Sequence, residues 1–279
     1  MRFAMIFMLC FSVQLLLAQT TFKVLSYNVS DGIGTDKVKI KEFQTWMKTQ
    51  NVDVAAFQYI QKTDVTKLAN IAKKWKHPHI EVLTLGDVSF AITSKTPLSN
   101  IKKDEFLMAT VNGINIYAVD INQDSIDFRI DAAKRLSQKI NPQGKTLVVG
   151  RLKGYAPVDS VLYNQRFRMI PAEMRSDKKV FQQLATYQRP EYYMVLRNLL
   201  ALGLKDLAAN TNKDNTIIQS TYPTKTFGNE MPAFNTFRYD YALANAALAA
   251  QCKSVEVIKD KATDYKSAHY PLLITFELN

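Results

Sequence analysis

The stretch Thr146-Leu147-Val148-Val149-Gly150-Arg151-Leu152-Lys153 sets the reading of the chain. Four strand-forming residues run into a glycine, the pattern of a buried strand that delivers the next side chains to the top of a sheet. Those side chains are two cations, Arg151 and Lys153. Two residues apart on one strand, they are expected to project the same way, and strand ends of this kind are frequent seats of function.

Upstream, Asp127 to Ile140 reads as a helix with Ile130, Ala133, Leu136 and Ile140 inward. Before it, Phe106 to Val111 and Ile114 to Ile121 pair across Asn112-Gly113, a strong hairpin signal. Ile80 to Leu85 and Val88 to Ser94 are further strand candidates. Nearer the start, Phe22 to Val29 alternates into a strand that ends on Asn28, with the turn Asp31-Gly32-Ile33-Gly34 after it. Asn28 is either an amide at a strand mouth or a turn asparagine bonding its own backbone. A helix then starts at the N-cap Asp36, with Val38, Ile40, Phe43, Trp46 and Met47 as its apolar stripe. Val52 to Phe57 is a nearly continuous apolar strand closing on Gln58, and helix followed by buried strand is an α/β signature. A second helix, Asp64 to Trp75, turns Val65, Leu68, Ile71, Ala72 and Trp75 inward.

Downstream, Gly154 to Arg189 mixes cations such as Arg166, Arg168 and Arg189 with Tyr163, Phe167, Phe181 and Tyr187. A solvated helix and loop is the plain reading, and a nucleic-acid surface is the alternative. Glu191 to Leu202 is a helix stopped by Gly203; Thr216 to Tyr222, Thr236 to Ala244, Ser254 to Ile258 and Leu272 to Leu278 read as strands. No internal repeat or low-complexity linker interrupts residues 19–279, which are expected to form one domain.

Residues 1–18 read differently. Met1 and Arg2 precede an apolar run from Phe3 to Ala18, as in a secretory signal cleaved near Ala18. The run is shorter than the roughly 20 residues of a membrane span, no basic stop follows it, and Cys10 lacks the small residue expected before a lipidated cysteine. A secreted or periplasmic mature chain without a transmembrane segment is therefore expected. It would keep Cys252 as its single cysteine, either a small buried residue or a reactive thiol. The chain has 36 Lys and Arg against 25 Asp and Glu, a net charge of +11, which favours anionic partners unless the cations simply solvate the surface.

In their order, these strand ends resemble the endonuclease/exonuclease/phosphatase superfamily. Leu25-Ser26-Tyr27-Asn28-Val29 is similar to its opening strand, and Asp53-Val54-Ala55-Ala56-Phe57-Gln58 to D-V-V-A-L-Q-E. Ala91 to Leu98 resembles the hairpin ending in S-x-x-P-L, and Val148 to Lys153 stands where the family has G-D-F-N. Phe237-Arg238-Tyr239-Asp240-Tyr241 is similar to R-I-D-Y, and Ser267 to Leu272 to S-D-H-x-P-V. The resemblance implies a deoxyribonuclease-I-like α/β (α+β) fold, a four-layer sandwich of two mixed β-sheets flanked by helices. It also implies that Asn28, Gln58, Arg151, Asp240 and His269 meet at one rim.

The family cleaves phosphoesters with a divalent metal. The resemblance gives Asn28, Asp240 and His269 as retained catalytic positions. Gln58, or Tyr59 with a one-residue shift, stands at the metal-binding glutamate, and Ala268 at the aspartate of S-D-H. Asp120 replaces a histidine, Arg151 the aspartate of G-D-F-N, and Lys153 its asparagine. Magnesium-assisted hydrolysis needs hard anionic oxygens and an acceptor for the water proton. A guanidinium is always charged and cannot act as a base. Each of two cations about 5 Å from a divalent ion would repel it by several kcal/mol at an effective dielectric near 20. No cofactor is therefore expected, magnesium held by Asp120 or Asp124 being the alternative.

Three readings follow. In the first, the protein is catalytically degenerate and binds an anionic ligand, a phosphorylated small molecule or nucleic acid, through Arg151, Lys153 and His269, with the bidentate Arg151 contributing more than Lys153. In the second, it is a metal-dependent phosphodiesterase or phosphatase with rearranged ligands. In the third, Arg151 and Lys153 pair with Asp240, Asp120 or Asp31, and the chain is a structural partner with an inert cleft.

Overall fold

In the computed structural model, Lys145–Arg151 is a strand whose side chains divide by parity. Leu147 and Val149 enter one core and Val148 another, so both faces of the strand are covered. The structure describes residues 19–29, 33, 37–61, 64–141, 143–176, 178–212, 219–227 and 235–279. The signal-like residues 1–18, the turn residues Asp31, Gly32 and Gly34, the N-cap Asp36 and the first half of the strand read at 216–222 lie outside the described residues.

The strands in chain order are β1 (Thr20–Asn28), β2 (Val54–Gln61), β3 (His79–Leu85), β4 (Val88–Ser94), β5 (Ser99–Lys103), β6 (Leu107–Val111), β7 (Ile114–Asp120), β8 (Lys145–Arg151), β9 (Lys205–Asp206), β10 (Asp240–Ala244), β11 (Cys252–Val257) and β12 (Leu272–Leu278). They form two six-stranded sheets, ordered β11-β12-β1-β2-β4-β3 and β5-β6-β7-β8-β10-β9. Each sheet is mixed: β1 pairs parallel with β2, and β7 parallel with β8, among antiparallel neighbours.

The sheets pack face to face on one apolar core, with Val24, Ala56 and Ile274 from the first meeting Ile116, Val149 and Ala242 from the second. Outside the first sheet, α1 (Lys37–Gln50) and α2 (Val65–Ala72) lay Phe43, Trp46, Met47 and Leu68 over Leu25, Tyr27 and Phe57. Outside the second, α3 (Ile126–Lys139) and the helix Glu191–Leu200 lay Ala133, Leu136, Leu196 and Leu199 over Val119, Val148 and Leu243. The order is helix, sheet, sheet, helix, the four-layer sandwich that the motifs imply. Among the described residues no helix is long and apolar enough to cross a membrane.

The Asn112-Gly113 hairpin forms between β6 and β7, both turn residues having positive φ (48° and 75°), as a two-residue turn of this kind requires. Elsewhere the expectations need correction. Val38 is not on the buried stripe of α1 but 67% exposed, while Ile40 in the same turn packs against the core. Among the described residues of Thr216–Tyr222 and Thr236–Tyr239, only Tyr222 and Phe237 make a bridge. There the Thr221 hydroxyl accepts the N–H groups of Tyr239 and Asp240, a side chain doing what a ladder would otherwise do.

The stretch from Gly154 to Arg189 is helical, with Ser160–Arg168, Ala172–Ser176 and Lys178–Ala185, but it is not merely solvated. Tyr155, Tyr163, Tyr187, Tyr193 and Phe237 form a separate buried cluster, flanked by Tyr192, Tyr222 and Tyr239. Arg166 is buried beside it and donates to the Thr236 carbonyl and the Ser220 hydroxyl.

Candidate functional site

Strand parity builds the site. The rows that enter the core between the sheets continue, every second residue, into Asn28 on β1, Gln58 on β2, Asp120 on β7, Arg151 on β8 and Asp240 on β10. Apolar side chains give way to polar ones where the sandwich ends, so these residues meet at one rim without any loop bringing them there.

Arg151 is the centre of that rim. It stands opposite Asp120 across β7–β8 and opposite Asp240 across β8–β10. Its Nε donates to Asp120 Oδ1 at 2.5 Å and a terminal nitrogen to Oδ2 at 2.8 Å, a bidentate pair of the strong planar kind. The Tyr59 ring covers the guanidinium, its centroid 5.2 Å from the central carbon. Tyr59 reaches this place because β2 bulges: its register with β4 shifts between Phe57 and Ile60, and Tyr59 takes a φ of 57°. On the other side, His269 Nδ1 lies 2.7 Å from Asp240 Oδ2, and the Tyr222 ring sits 4.9 Å from the imidazole.

The group is almost closed to solvent: Arg151 is 8% exposed and His269 1%. Burial pushes the Asp120 carboxyl up from its ordinary value, against the pull of the guanidinium. The same burial works to lower Arg151, but the bond and charge of Asp120 outweigh it and leave the guanidinium more firmly protonated than usual. Burial raises the Tyr222 phenol, Arg151 opposing it.

Lys153 departs from the expected geometry. The strand ends at Arg151, and Lys153 has a φ of 41°, so the alternation that would aim both cations alike stops between them. Its ammonium lies 3.4 Å from the Asn122 carbonyl and 3.7 Å from Asp124, over the loop after β7. Burial, then the nearby cations Arg129 and Arg151, hold that ammonium below its ordinary value. Arg129 also donates to the Lys153 carbonyl. Asp120 thus occupies two donors of the Arg151 fork, while the Lys153 ammonium is partly exposed.

The remaining expected residues are placed as follows. Gln58 is fully buried and donates to the Ser26 hydroxyl and the Ala56 carbonyl, each at 3.2 Å. Of the two residues that could stand for the family's glutamate, Tyr59 is the one that touches Arg151. Asn28 is 1% exposed, and among the described residues neither atom of its amide has a hydrogen-bond partner. Its own carbonyl accepts from the Ser267 hydroxyl, which joins β1 to the segment carrying His269. Ala268 is buried and offers only backbone there, its carbonyl accepting from the Thr224 N–H.

These residues do not suit the divalent metal that the resemblance implies. Such an ion needs several free oxygen donors. Both oxygens of Asp120 are taken by Arg151, Asp240 holds His269, and a guanidinium stands among them, so that among the described residues the neutral amide oxygens of Asn28 and Gln58 are the ones left without a partner there. Among the described residues no group of three or more His, Cys, Asp and Glu side chains is arranged to hold a metal. Two contributors escaped the sequence reading. Arg129 was legible in principle, because Ala132, Ala133 and Leu136 at the third, fourth and seventh positions after it mark the buried face. Tyr222 carried no such signal.

The fold has close counterparts among solved structures. An AP endonuclease from Archaeoglobus fulgidus superposes with a TM-score of 0.69 at 16% identity, over 92% of this chain and 100% of its own. The 3'-5' exonuclease NExo from Neisseria meningitidis gives 0.68 at 17% identity over the same shares, 92% and 100%. An endonuclease/exonuclease/phosphatase protein from Beutenbergia cavernae gives 0.63 at 12%, over 93% of this chain and 72% of its own. No protein-family model and no curated protein sequence matches the chain. Two mixed six-stranded sheets between helices, in a chain that overlays these proteins along nearly its whole length, identify a deoxyribonuclease-I-like fold.

Proposed function

We propose that the protein is an exported, non-hydrolytic member of this fold that acts by binding an anionic partner at the rim rather than by cleaving phosphoesters. The observation that carries the reading is the Arg151–Asp120 pair. A guanidinium stands where the resemblance calls for the carboxylate that serves the attacking water, and it occupies the nearest carboxylate as well. On the β8 side, the residue opposite Asp240 of the Asp240–His269 pair is Arg151, whose guanidinium cannot act as a base on water. Lys153 is the charge left for an anion, with Arg129 and Arg151 adding to the local positive potential. Export rests on the apolar run from Phe3 to Ala18 after a basic start.

The first test is hydrolysis. Purified mature protein with magnesium, manganese or calcium is expected to leave phosphodiester and phosphomonoester substrates intact. Metal-dependent turnover that is lost in His269→Ala would favour the hydrolase with rearranged ligands instead. The second test titrates short oligonucleotides, phosphosugars and inorganic phosphate into wild type and Lys153→Ala. Binding should weaken with rising salt and weaken again on the substitution. Equal binding by both proteins, or none, would leave the rim an inert structural element. Intact-mass analysis of secreted or periplasmic material should lack residues 1–18.

A further inference from the structure

The outer face of α1 carries an apolar patch that the core does not use. Val38, Lys41, Glu42 and Thr45 recur at the i, i+3, i+4, i+7 spacing of one helix face, and with Trp46 and Ala262 they line a shallow groove of about 420 Å3. The turn 261–266 runs along the helix here, held by Lys266 to Glu42 at 3.1 Å and, just before it, by the Trp46 indole, which donates to Asp260 at 3.2 Å. Val38 is 67% exposed, and Tyr265 in the turn 61%. A lone exposed apolar side chain is ordinary, but a group of them around one groove marks a contact surface.

The charge around the groove is a second, independent observation. Lys37, Lys41 and Lys48 lie in one row beside Val38 and Thr45, since steps of four and eleven residues return a helix to nearly the same direction. Lys261 and Lys266 belong to the turn. Among the described residues no carboxylate pairs with Lys37, Lys41, Lys48 or Lys261. The nearby carboxylates are already committed: Glu42 holds Lys266, and Asp260 accepts from the Trp46 indole and from the N–H groups of Ala262 and Thr263. Apolar surface flanked by uncommitted lysines suits the boundary between lipid headgroups and acyl chains. There the long lysine stems keep their ammonium groups at the level of the phosphates, and a tyrosine ring sits at the headgroups. The groove is shallow and open rather than a deep anchor pocket of the kind a protein hot spot fills, which favours a lipid surface over an acidic protein.

We propose that α1 and the turn 261–266 form a docking surface for an anionic lipid membrane, on which Val38 and Tyr265 enter the headgroup boundary while Lys37, Lys41, Lys48 and Lys261 meet the lipid phosphates. The surface lies in the helical layer over the first sheet and involves neither Arg151 nor Lys153, so it stands apart from the rim and its anion. Few apolar groups enter the lipid, so the attachment is reversible and depends on charge.

The experiment is co-sedimentation of the mature protein with vesicles of phosphatidylcholine alone and of phosphatidylcholine mixed with phosphatidylglycerol. Wild type should sediment with the mixed vesicles only, and less so as salt rises. The triple variant Lys37→Glu, Lys41→Glu, Lys48→Glu should raise the lipid concentration for half-binding on the order of 100-fold. A control with the same change of charge at exposed lysines elsewhere, Lys102→Glu, Lys178→Glu and Lys205→Glu, should move it far less. Val38→Asp with Tyr265→Ser should weaken binding roughly 10-fold. All these side chains are exposed, so each variant should unfold at the wild-type temperature. Absence of binding to the mixed vesicles overturns the proposal, and so does equal loss in the two lysine triples, which would reduce it to net charge. Binding to soluble polyglutamate that is lost in the α1 triple, without binding to vesicles, overturns it in favour of an acidic protein partner. Lys153→Ala should sediment like wild type, which separates this surface from the rim.

Discussion

His77 shows how a single side chain is tuned by its place. It is 1% exposed, with Nε2 2.9 Å from the Val52 carbonyl and Nδ1 2.8 Å from the Thr93 hydroxyl. A carbonyl can only accept, so Nε2 carries the proton and Nδ1 accepts from Thr93. Burial is the largest influence and holds the imidazole at about 4, below its ordinary 6.5. As pH falls from 6.5 towards 4, the unfolded chain takes up a proton that the folded one refuses. Stability should therefore fall across that window, by on the order of 3 kcal/mol from this group. Urea denaturation at several pH values should show the slope, and His77→Gln should flatten it. Arg238 makes a different residue-scale case. It donates to Asp159 at 2.9 Å and twice to Asp206, at 2.9 and 2.7 Å, and lies over the Tyr241 ring. Arg238→Met would strand two buried carboxylates at a cost of about 3–5 kcal/mol, measurable in the same assay.

At the scale of elements, the closest tolerance lies between β7 and β8. Gly150 has a φ of +132°, and a Cβ placed on it would come within 2.0 Å of the Val119 carbonyl oxygen. Gly150→Ala is therefore expected to lose about 2–5 kcal/mol, from strained backbone and overpacking together, and to show a lower urea midpoint. The glycine of the opening stretch is thus required by strand approach, which explains why its place at the strand end was legible. Strand ends and the Asn112-Gly113 hairpin were legible for a related reason: alternation and positive-φ turns are local physics. Edge strand β5 was not, since all five of its residues are exposed and no period marks them. Nor was the commitment of Arg151 to Asp120 beyond one option among several. The two are 31 residues apart, and their meeting depends on the register of β7 against β8. The same dependence hid the bulge that swings Tyr59, rather than Gln58, onto the guanidinium.

Across the whole molecule, one inter-sheet core joins both sheets, and the rim is simply where that core runs out. Many of the aromatic side chains, however, lie outside that core, in two separate groups. Trp46 and Trp75, the only two tryptophans in the chain, both lie in the helical layer over the first sheet. The tyrosine cluster around Tyr155, Tyr163 and Tyr187 lies apart from them, packed with Phe237. The protein thus carries two optical reporters at separate places, tryptophan emission for one layer and tyrosine near-ultraviolet dichroism for the other. If the shared core couples the layers into a single cooperative unit, both signals should change at the same urea concentration. A tyrosine signal that melts first would mean that the cluster opens on its own. Tyr222, whose ring packs at a tilt against both His269 and Tyr239, would then let the rim loosen while the tryptophan layer stays folded.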